Sequence, residues 1–134
     1  MEIKQDRFLN GSEAFKLAMQ AAHELSDLCN RRVLVQSNYP IIYAKEDDLT
    51  IGCLTFFYFN DSCFMTLAYV VEDYRRRGIF KAMFSHLKEY CRKIGIKNIE
   101  WGCHVSNGSA NATYSAMDFE LTHYTYYVPV EDNI

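Results

Sequence analysis

The chain has 134 residues, of which 49% are apolar and 23% are charged, and this composition predicts one folded domain over residues 1–134 and not a disordered chain. The formal net charge of -3 disfavours general nucleic-acid binding through phosphate attraction. No apolar run is long enough for a membrane span, and five cysteines without a CxxC pair predict reduced thiols in a cytoplasmic protein with no metal site.

The first half of the chain predicts one helix followed by strands. Ser12 is a candidate N-cap of a helix that runs to about Cys29, because Phe15, Ala18 and Leu25 recur at helical spacing. The runs RVLVQS, PIIYAKE, LTIGCLTFFYF and CFMTLAYVV have strand character. The turn clusters EDD and NDS separate the last three runs, which indicates an antiparallel meander.

The second half alternates helices and strands. From Ile79 onward one helical face is apolar, and Gly95 is a typical helix stop; the members of that face are Ala82, Met83, Leu87, Tyr90 and Ile94. KNIEWGCHV predicts a strand, SNGSANATYSAM a short helix and LTHYTYYVPV a last strand. The order predicts an α+β fold, with a mixed, mostly antiparallel central sheet flanked by helices.

The stretch YRRRGIFK lies between the fourth predicted strand-like run and the amphipathic helix. The first N–H groups of a helix have no internal partners and attract anions, and Gly78 permits close approach of a ligand to the backbone. Arg76, Arg77 and Lys81 add positive charge. The segment therefore predicts a pyrophosphate-binding turn, and the alternative is a solvated basic helix start.

Two motifs carry a resemblance to a known family. VVEDYRRRGIFKAMF resembles the acetyl-CoA-binding motif of the GNAT acetyltransferase superfamily, which reads Arg or Gln, two residues, Gly, one residue, then Gly or Ala. Arg75 and Gly78 match this pattern, whereas Phe80 stands where the family usually has a small residue.

A second segment, NGSANATYSAMDFE, resembles the downstream motif of the same family. Asn107 and Tyr114 match at the family's spacing and Phe119 matches its aromatic position, whereas Asp118 replaces the usual glycine. The resemblance implies a GNAT-like acyl-CoA N-acyltransferase fold.

The resemblance also implies which residues bind acetyl-CoA. The pantetheine arm would lie beside the family's fourth strand, here Ala68, Tyr69 and Val70, and take backbone hydrogen bonds as an added strand would. The pyrophosphate or the 3′-phosphate would meet the turn that contains Arg75, Arg76, Arg77, Gly78, Ile79, Phe80 and Lys81. Asn107 would contact the pantetheine or order the splay between strands; its alternative role is a helix cap.

The implied activity is transfer of the acetyl group of acetyl-CoA to a primary amine by direct attack. Tyr114 would act as general acid toward the leaving thiolate; the alternative is a core aromatic, because Ala110, Tyr114 and Met117 share one helical face. The family's strand-borne Glu is replaced by Gly102. Glu100 or His104 could act as a base through water, or be a surface Glu and a hydrogen-bonded His.

Other functions are left open by the sequence. One is a non-catalytic acetyl-CoA-binding protein of the same fold that acts through a protein partner, which the residues Phe80 and Asp118 favour. Another is a nucleic-acid module built on the arginines, which the net charge disfavours. Glu46, Asp47 and Asp48 could attract a cationic acceptor or simply form a turn. A homodimer is compatible with the sequence, and the acceptor amine is not identified.

Overall fold

The structure is a computed structural model of the chain, and it describes residues 1–7, 13–29, 39–102 and 107–117. The chain divides into two compact units, Met1–Trp101 and Gly102–Ile134. The candidate cap Ser12, the strand-like run RVLVQS and the candidate last strand LTHYTYYVPV lie outside the described residues. The single domain over residues 1–134 stays a prediction.

The first unit contains a five-stranded sheet with the order β1-β2-β3-β4-β5. Its strands are β1 (Glu2–Asp6), β2 (Ile41–Glu46), β3 (Leu49–Phe59), β4 (Ser62–Val70) and β5 (Asn98–Trp101). Strands β1 to β4 pair antiparallel, and β5 pairs parallel to β4. Helices α1 (Glu13–Cys29) and α2 (Ile79–Ile94) complete the unit. The predicted mixed, mostly antiparallel α+β fold is confirmed, as is the meander.

Two short turns set the register of the meander. Glu46 pairs with Leu49, so two residues join β2 to β3, and Asp47 has a φ of 53°. The next hairpin has the same length, and there Asn60 has a φ of 55°. Asp and Asn tolerate this left-handed backbone better than most residues, which explains why the EDD and NDS clusters lie at these turns.

Strand β1 was missed by the sequence analysis, which begins the chain with a helix. Glu2 lies opposite Lys45 and Asp6 opposite Ile41. Ile3 is the one aliphatic residue within this strand, so the segment has little of the alternating pattern by which a strand is recognised. The strand forms because its backbone completes the edge of β2.

Helices α1 and α2 cover opposite faces of the sheet. Cys53 packs in a buried cluster with α1, which contributes Ala14, Leu17, Ala18 and Ala21 to it. A Cβ on the adjacent Gly52 would point at Ile79 and Met83 of α2. Successive residues of a strand face opposite sides, so the two helices sandwich the sheet.

A β-bulge changes which face the end of β4 presents. The register of β3 and β4 shifts between Thr55 and Phe56, which leaves Thr66 as an additional residue of β4. The hydroxyl groups of Thr55 and Thr66 share a hydrogen bond of 2.7 Å. Beyond the bulge Tyr69 packs against the α1 cluster, whereas without it Tyr69 would share the face of Met65.

Helix α2 buries five residues on one face, at successive spacings of four, one, three and four, namely Ile79, Met83, Phe84, Leu87 and Cys91. The predicted face was slightly rotated, because Ile94 is 44% exposed. Gly95 ends the helix with a φ of 83°, as predicted. Within the described residues, the helices are too short or too polar to cross a membrane.

In the second unit the described residues form helix α3 (Gly108–Ala116). The side-chain oxygen of Asn107 accepts a hydrogen bond of 3.3 Å from the backbone N–H of Ala110. The helix-cap role of Asn107 is therefore confirmed.

Candidate functional site: the turn between β4 and α2

Helix α2 begins without a side-chain cap from the described residues. Gly78 is its N-cap, with a φ of 77° and a ψ of 15°. The first helical hydrogen bond runs from the N–H of Ala82 to the carbonyl of Gly78 at 3.0 Å. The N–H groups of Ile79, Phe80 and Lys81 therefore precede the helical ladder and point out of the helix end. Such an end is a favourable place for a phosphate group.

The space in front of Gly78 is open. A Cβ placed on this glycine would have no described atom within 4 Å. An anion can thus approach the N–H groups at the start of α2, and a backbone in the left-handed region is natural for glycine here.

The three arginines before Gly78 do not have the same surroundings, although all three are exposed. The guanidinium of Arg77 lies 5.1 Å from the ring centroid of Tyr74, a cation–π contact. Arg76 has a φ of 65°, an uncommon conformation for a residue with a side chain. Arg75 reaches back to the strand, where its Nε–H donates a hydrogen bond of 2.8 Å to the carbonyl of Val70.

Strand β4 extends beyond its pairing with β5. The last pair in the described residues joins Met65 to Trp101, whereas β4 continues to Val70. On its other side the end of β4 stays paired with β3, up to Val70 opposite Gly52. The stretch Ala68–Val70 therefore has a backbone edge without a described partner strand, directly before the turn. Such an edge can hold an extended ligand by backbone hydrogen bonds.

Tyr69 links this strand to helix α1. Its O–H donates a hydrogen bond of 2.7 Å to Oε2 of Glu24. The hydrogen bond from Tyr69 is the main cause that holds the pKa of Glu24 below its ordinary value, and the charge of Arg75 acts in the same direction. Burial, followed by the interaction with Glu24, raises the pKa of Tyr69 to about 12. At neutral pH the phenol is therefore a donor and the carboxylate is charged.

The ring of Phe80 turns along α2 toward β5. It stacks on Phe84 with ring centroids 5.8 Å apart, and Phe84 meets Trp101 edge-on at 5.6 Å. Phe84 is only 6% exposed. The ring of Phe80 therefore contacts a ring on the buried side of α2, which in turn contacts Trp101. A bulky residue at position 80 thus has an aromatic neighbour away from Gly78.

Gly52 lets the start of α2 approach the sheet. A Cβ at this position would lie 3.2 Å from Ile79 Cγ2 and from Met83 Cε, and 3.3 Å from the carbonyl oxygen of Tyr69. These distances are shorter than ordinary van der Waals contact. The glycine therefore fixes the depth at which the first turn of α2 sits on β3.

Asn107 caps helix α3 and Tyr114 lies on it, in the second unit. Tyr114 is seven positions after Asn107, which corresponds to about 10 Å along a helix axis. Asn111 donates from its amide nitrogen to the carbonyl of Asn107 at 2.9 Å. Tyr114 is half-buried and has contacts of its own.

A family model described as the acetyltransferase (GNAT) family matches residues 6–119. The chain belongs to the GNAT acetyltransferase family. A search of curated proteins found no match for this GNAT protein.

Solved structures of acetyltransferases share the fold at low sequence identity. A ribosomal-protein-alanine N-acetyltransferase from Brucella melitensis biovar Abortus 2308 has a TM-score of 0.74 at 15% identity, over 96% of this chain and 98% of that one. Aminoglycoside N-acetyltransferase AAC(6')-Iy, solved in complex with CoA, has a TM-score of 0.71 at 15% identity, over 98% and 100%. A possible acetyltransferase from Clostridium difficile 630 has a TM-score of 0.70 at 18% identity, over 98% of both chains.

Most of the residues that the sequence analysis assigned to acetyl-CoA lie together in this GNAT protein. Ala68–Val70 and Arg75–Lys81 are the end of one strand and the turn that follows it. Glu24 is the site neighbour that the sequence analysis missed. It looks like a solvated residue of an amphipathic helix, and its link to Tyr69 spans 45 residues of sequence.

The remaining candidates are placed as follows. Asp47 and Asp48 form the exposed β2–β3 turn, as one of the two predicted roles requires. Glu100 lies on β5 opposite Phe64, whereas His104 lies outside the described residues. Burial raises the pKa of Cys53 to about 12, so this thiol is a poor nucleophile. The described residues contain no cluster of three or more His, Cys, Asp or Glu that could hold a metal ion.

Proposed function

We propose that this GNAT protein is an N-acetyltransferase that transfers the acetyl group of acetyl-CoA to a primary amine of a small molecule, peptide or protein. One observation carries the proposal: the start of α2, which no described side chain caps and which has open space in front of Gly78, follows the edge of β4 that has no partner strand among the described residues. Together they present backbone groups to both the phosphate end and the extended arm of one ligand.

In this proposal the turn binds the phosphate groups. The N–H groups of Ile79, Phe80 and Lys81 donate to phosphate oxygens, and the guanidinium groups of Arg76 and Arg77 add charge at the exposed surface. Ala68–Val70 hold the pantetheine arm through backbone groups, which places the thioester near the end of β4. Asn107 contributes a pantetheine contact beside its role as a cap.

In the chemical step the neutral amine attacks the thioester carbonyl carbon. A C–N bond forms, and the C–S bond breaks so that the CoA thiolate leaves. A backbone N–H near Val70 stabilises the negative charge that develops on the carbonyl oxygen. The Tyr114 phenol gives its proton to the departing thiolate, and the amine loses a proton to a base that is not assigned. The acceptor is also unassigned. The similar structures include one named for aminoglycosides and one named for ribosomal-protein alanine.

Calorimetry with acetyl-CoA, followed by release of free CoA thiol in the presence of amines, tests the proposal. The acceptor panel contains an aminoglycoside, a peptide with an N-terminal alanine, a lysine-containing peptide and an aliphatic diamine. Binding and thiol release are expected for the wild type. Absence of acetyl-CoA binding contradicts the proposal, and binding without turnover on every acceptor favours the non-catalytic alternative that acts through a protein partner.

The Tyr114→Phe variant tests the general acid. It removes one hydroxyl group and keeps the ring, so acetyl-CoA binding is expected to stay within about twofold of the wild type. Turnover is expected to fall by about 100-fold, within the usual range for loss of a general acid. Unchanged turnover would remove Tyr114 from the mechanism.

The cytoplasmic location inferred from the cysteine pattern stays a prediction.

A further inference from the structure

Three contacts join helix α1, strand β4 and the turn before α2. Glu24 on α1 accepts a hydrogen bond from the Tyr69 phenol at 2.7 Å. The guanidinium carbon of Arg75 lies 5.4 Å from the centroid of the Tyr69 ring. The Nε–H of Arg75 donates to the carbonyl of Val70 at 2.8 Å. The side chain of Arg75 is thus held at the end of β4 by one directional bond and one aromatic face.

The neighbouring Arg76 is in a different situation. Among the described residues, no hydrogen bond, ion pair or ring contact of its side chain is found, and the residue is exposed. Its guanidinium can therefore turn toward an incoming anion without breaking an internal contact. The Nε–H of Arg75 is bonded to Val70 and its guanidinium packs on Tyr69, so only its terminal N–H groups remain for another partner.

We propose that Arg75 is a positioning residue and not a phosphate ligand: with Glu24 and Tyr69 it clamps the turn to the end of β4. The ligand in this inference is acetyl-CoA, so it rests on the proposed function. The charge that meets the phosphates comes from Arg76 and Arg77, and the side chain of Arg76 has no contact to break among the described residues.

The turn needs such a clamp because one residue of its backbone is in an unfavourable conformation. Arg76 has a positive φ angle of 65° although it carries a side chain, whereas glycine adopts such an angle readily, as Gly78 does. A non-glycine residue in this region prefers to relax to another conformation unless its surroundings hold it. A turn that is already held in its binding geometry loses less conformational freedom when a ligand binds.

A lysine distinguishes the two roles. It keeps the positive charge, but it lacks the Nε–H of arginine and the flat guanidinium that stacks on an aromatic ring. At a position that only supplies charge, Lys is expected to replace Arg with little loss. At a position that clamps the turn, Lys is expected to behave like a neutral residue.

The experiment measures acetyl-CoA affinity by calorimetry for Arg75→Lys, Arg75→Gln, Arg76→Lys and Arg76→Gln. We expect both Arg75 variants to bind about fivefold more weakly, because a contribution of about 1 kcal/mol corresponds to that factor. Arg76→Lys is expected to lose less affinity than Arg76→Gln, because it keeps the positive charge. Arg76→Gln is expected to bind more weakly and to lose part of the salt dependence of binding. Wild-type affinity of Arg75→Lys beside a weak Arg75→Gln would overturn the inference.

A double-mutant cycle tests the clamp without the ligand. Tyr69→Leu removes the ring on which Arg75 rests. In urea unfolding, the shift in midpoint of the Tyr69→Leu/Arg75→Gln double variant is expected to be smaller than the sum of the two single shifts. With Arg76→Gln in place of Arg75→Gln the shifts are expected to add. Additive shifts in both pairs overturn the inference even if acetyl-CoA binds. A coupled first pair together with no acetyl-CoA binding supports the clamp and contradicts only the proposed function.

Discussion

A pair of glycines at the two ends of α2 provides a sharp test of the phosphate-binding turn. Gly78 has a φ of 77° and a ψ of 15°, and Gly95 has a φ of 83° and a ψ of 17°. A Cβ at either position would have no described atom within 4 Å. Alanine at both sites thus meets the same backbone strain and no steric clash, whereas the helix between them is about 24 Å long.

The expected cost in stability is the same for the two variants. An L-residue in the left-handed region costs about 1–2 kcal/mol, and alanine recovers part of this because it restricts the unfolded chain. We therefore expect Gly78→Ala and Gly95→Ala each to lower the free energy of unfolding by about 1 kcal/mol. For a protein of this size the corresponding change in Tm is about 3 °C.

The expected effect on ligand binding differs between the two. The methyl group of Gly78→Ala adds bulk at the N-cap of α2, where a phosphate oxygen must come within about 2.9 Å of an N–H donor. Loss of even one charge-assisted hydrogen bond costs about 1.5–3 kcal/mol, so acetyl-CoA affinity is expected to fall at least tenfold. Gly95→Ala is expected to leave the affinity unchanged.

Calorimetry with acetyl-CoA and urea unfolding on the same preparations separate the two quantities. The reasoning would be refuted by equal losses of affinity in both variants, because the effect would then follow stability alone. It would also be refuted by a Gly78→Ala variant that binds acetyl-CoA like the wild type, because the space before Gly78 would then have no part in binding.

Three further predictions follow from the packing around the turn. Gly52→Ala is expected to lower the free energy of unfolding by about 1–2 kcal/mol through overpacking and to weaken acetyl-CoA binding, since its Cβ would press on Ile79 and on a backbone oxygen at 3.2–3.3 Å. Gly102→Ala, whose Cβ would have no described atom within 4 Å, is the near-neutral control in urea unfolding. Tyr69→Phe removes the hydrogen bond that is the main cause of the lowered pKa of Glu24. The stability that this hydrogen bond contributes is fully present above the ordinary Glu pKa of 4.5, and it is lost as the pH falls through the lowered pKa of Glu24 in the folded protein. The difference in free energy of unfolding between wild type and variant is therefore expected at neutral pH and should shrink below about pH 4.5; a difference independent of pH contradicts the link. Phe80→Ala is expected to lower the free energy of unfolding by about 1–2 kcal/mol, because the ring of Phe80 no longer packs on Phe84. Its acetyl-CoA affinity is expected to change by less than about threefold. Binding more than tenfold tighter would mean that the native ring obstructs the site.

The candidate site was partly predictable because its main features are local in sequence. A strand, a basic turn with one glycine and an amphipathic helix follow each other within YVVEDYRRRGIFKAMF, and each has its own pattern. The distinction between Arg75 and Arg76 was not predictable. The two residues are adjacent and chemically identical, and they differ only in what the folded chain places beside them.

By itself the sequence determined the helices α1 and α2, the meander and the turn between β4 and α2. Apolar periodicity and turn residues act over a few residues, so these elements are encoded by the local sequence. Only the tertiary structure decided the pairing of β1, the face of Tyr69 and the close approach at Gly52. These depend on a partner strand, on one additional residue at Thr66 and on a helix that starts 27 residues after Gly52. The physical reason is that a short edge strand or a bulge gains its stability from neighbours distant in sequence, which no local pattern records.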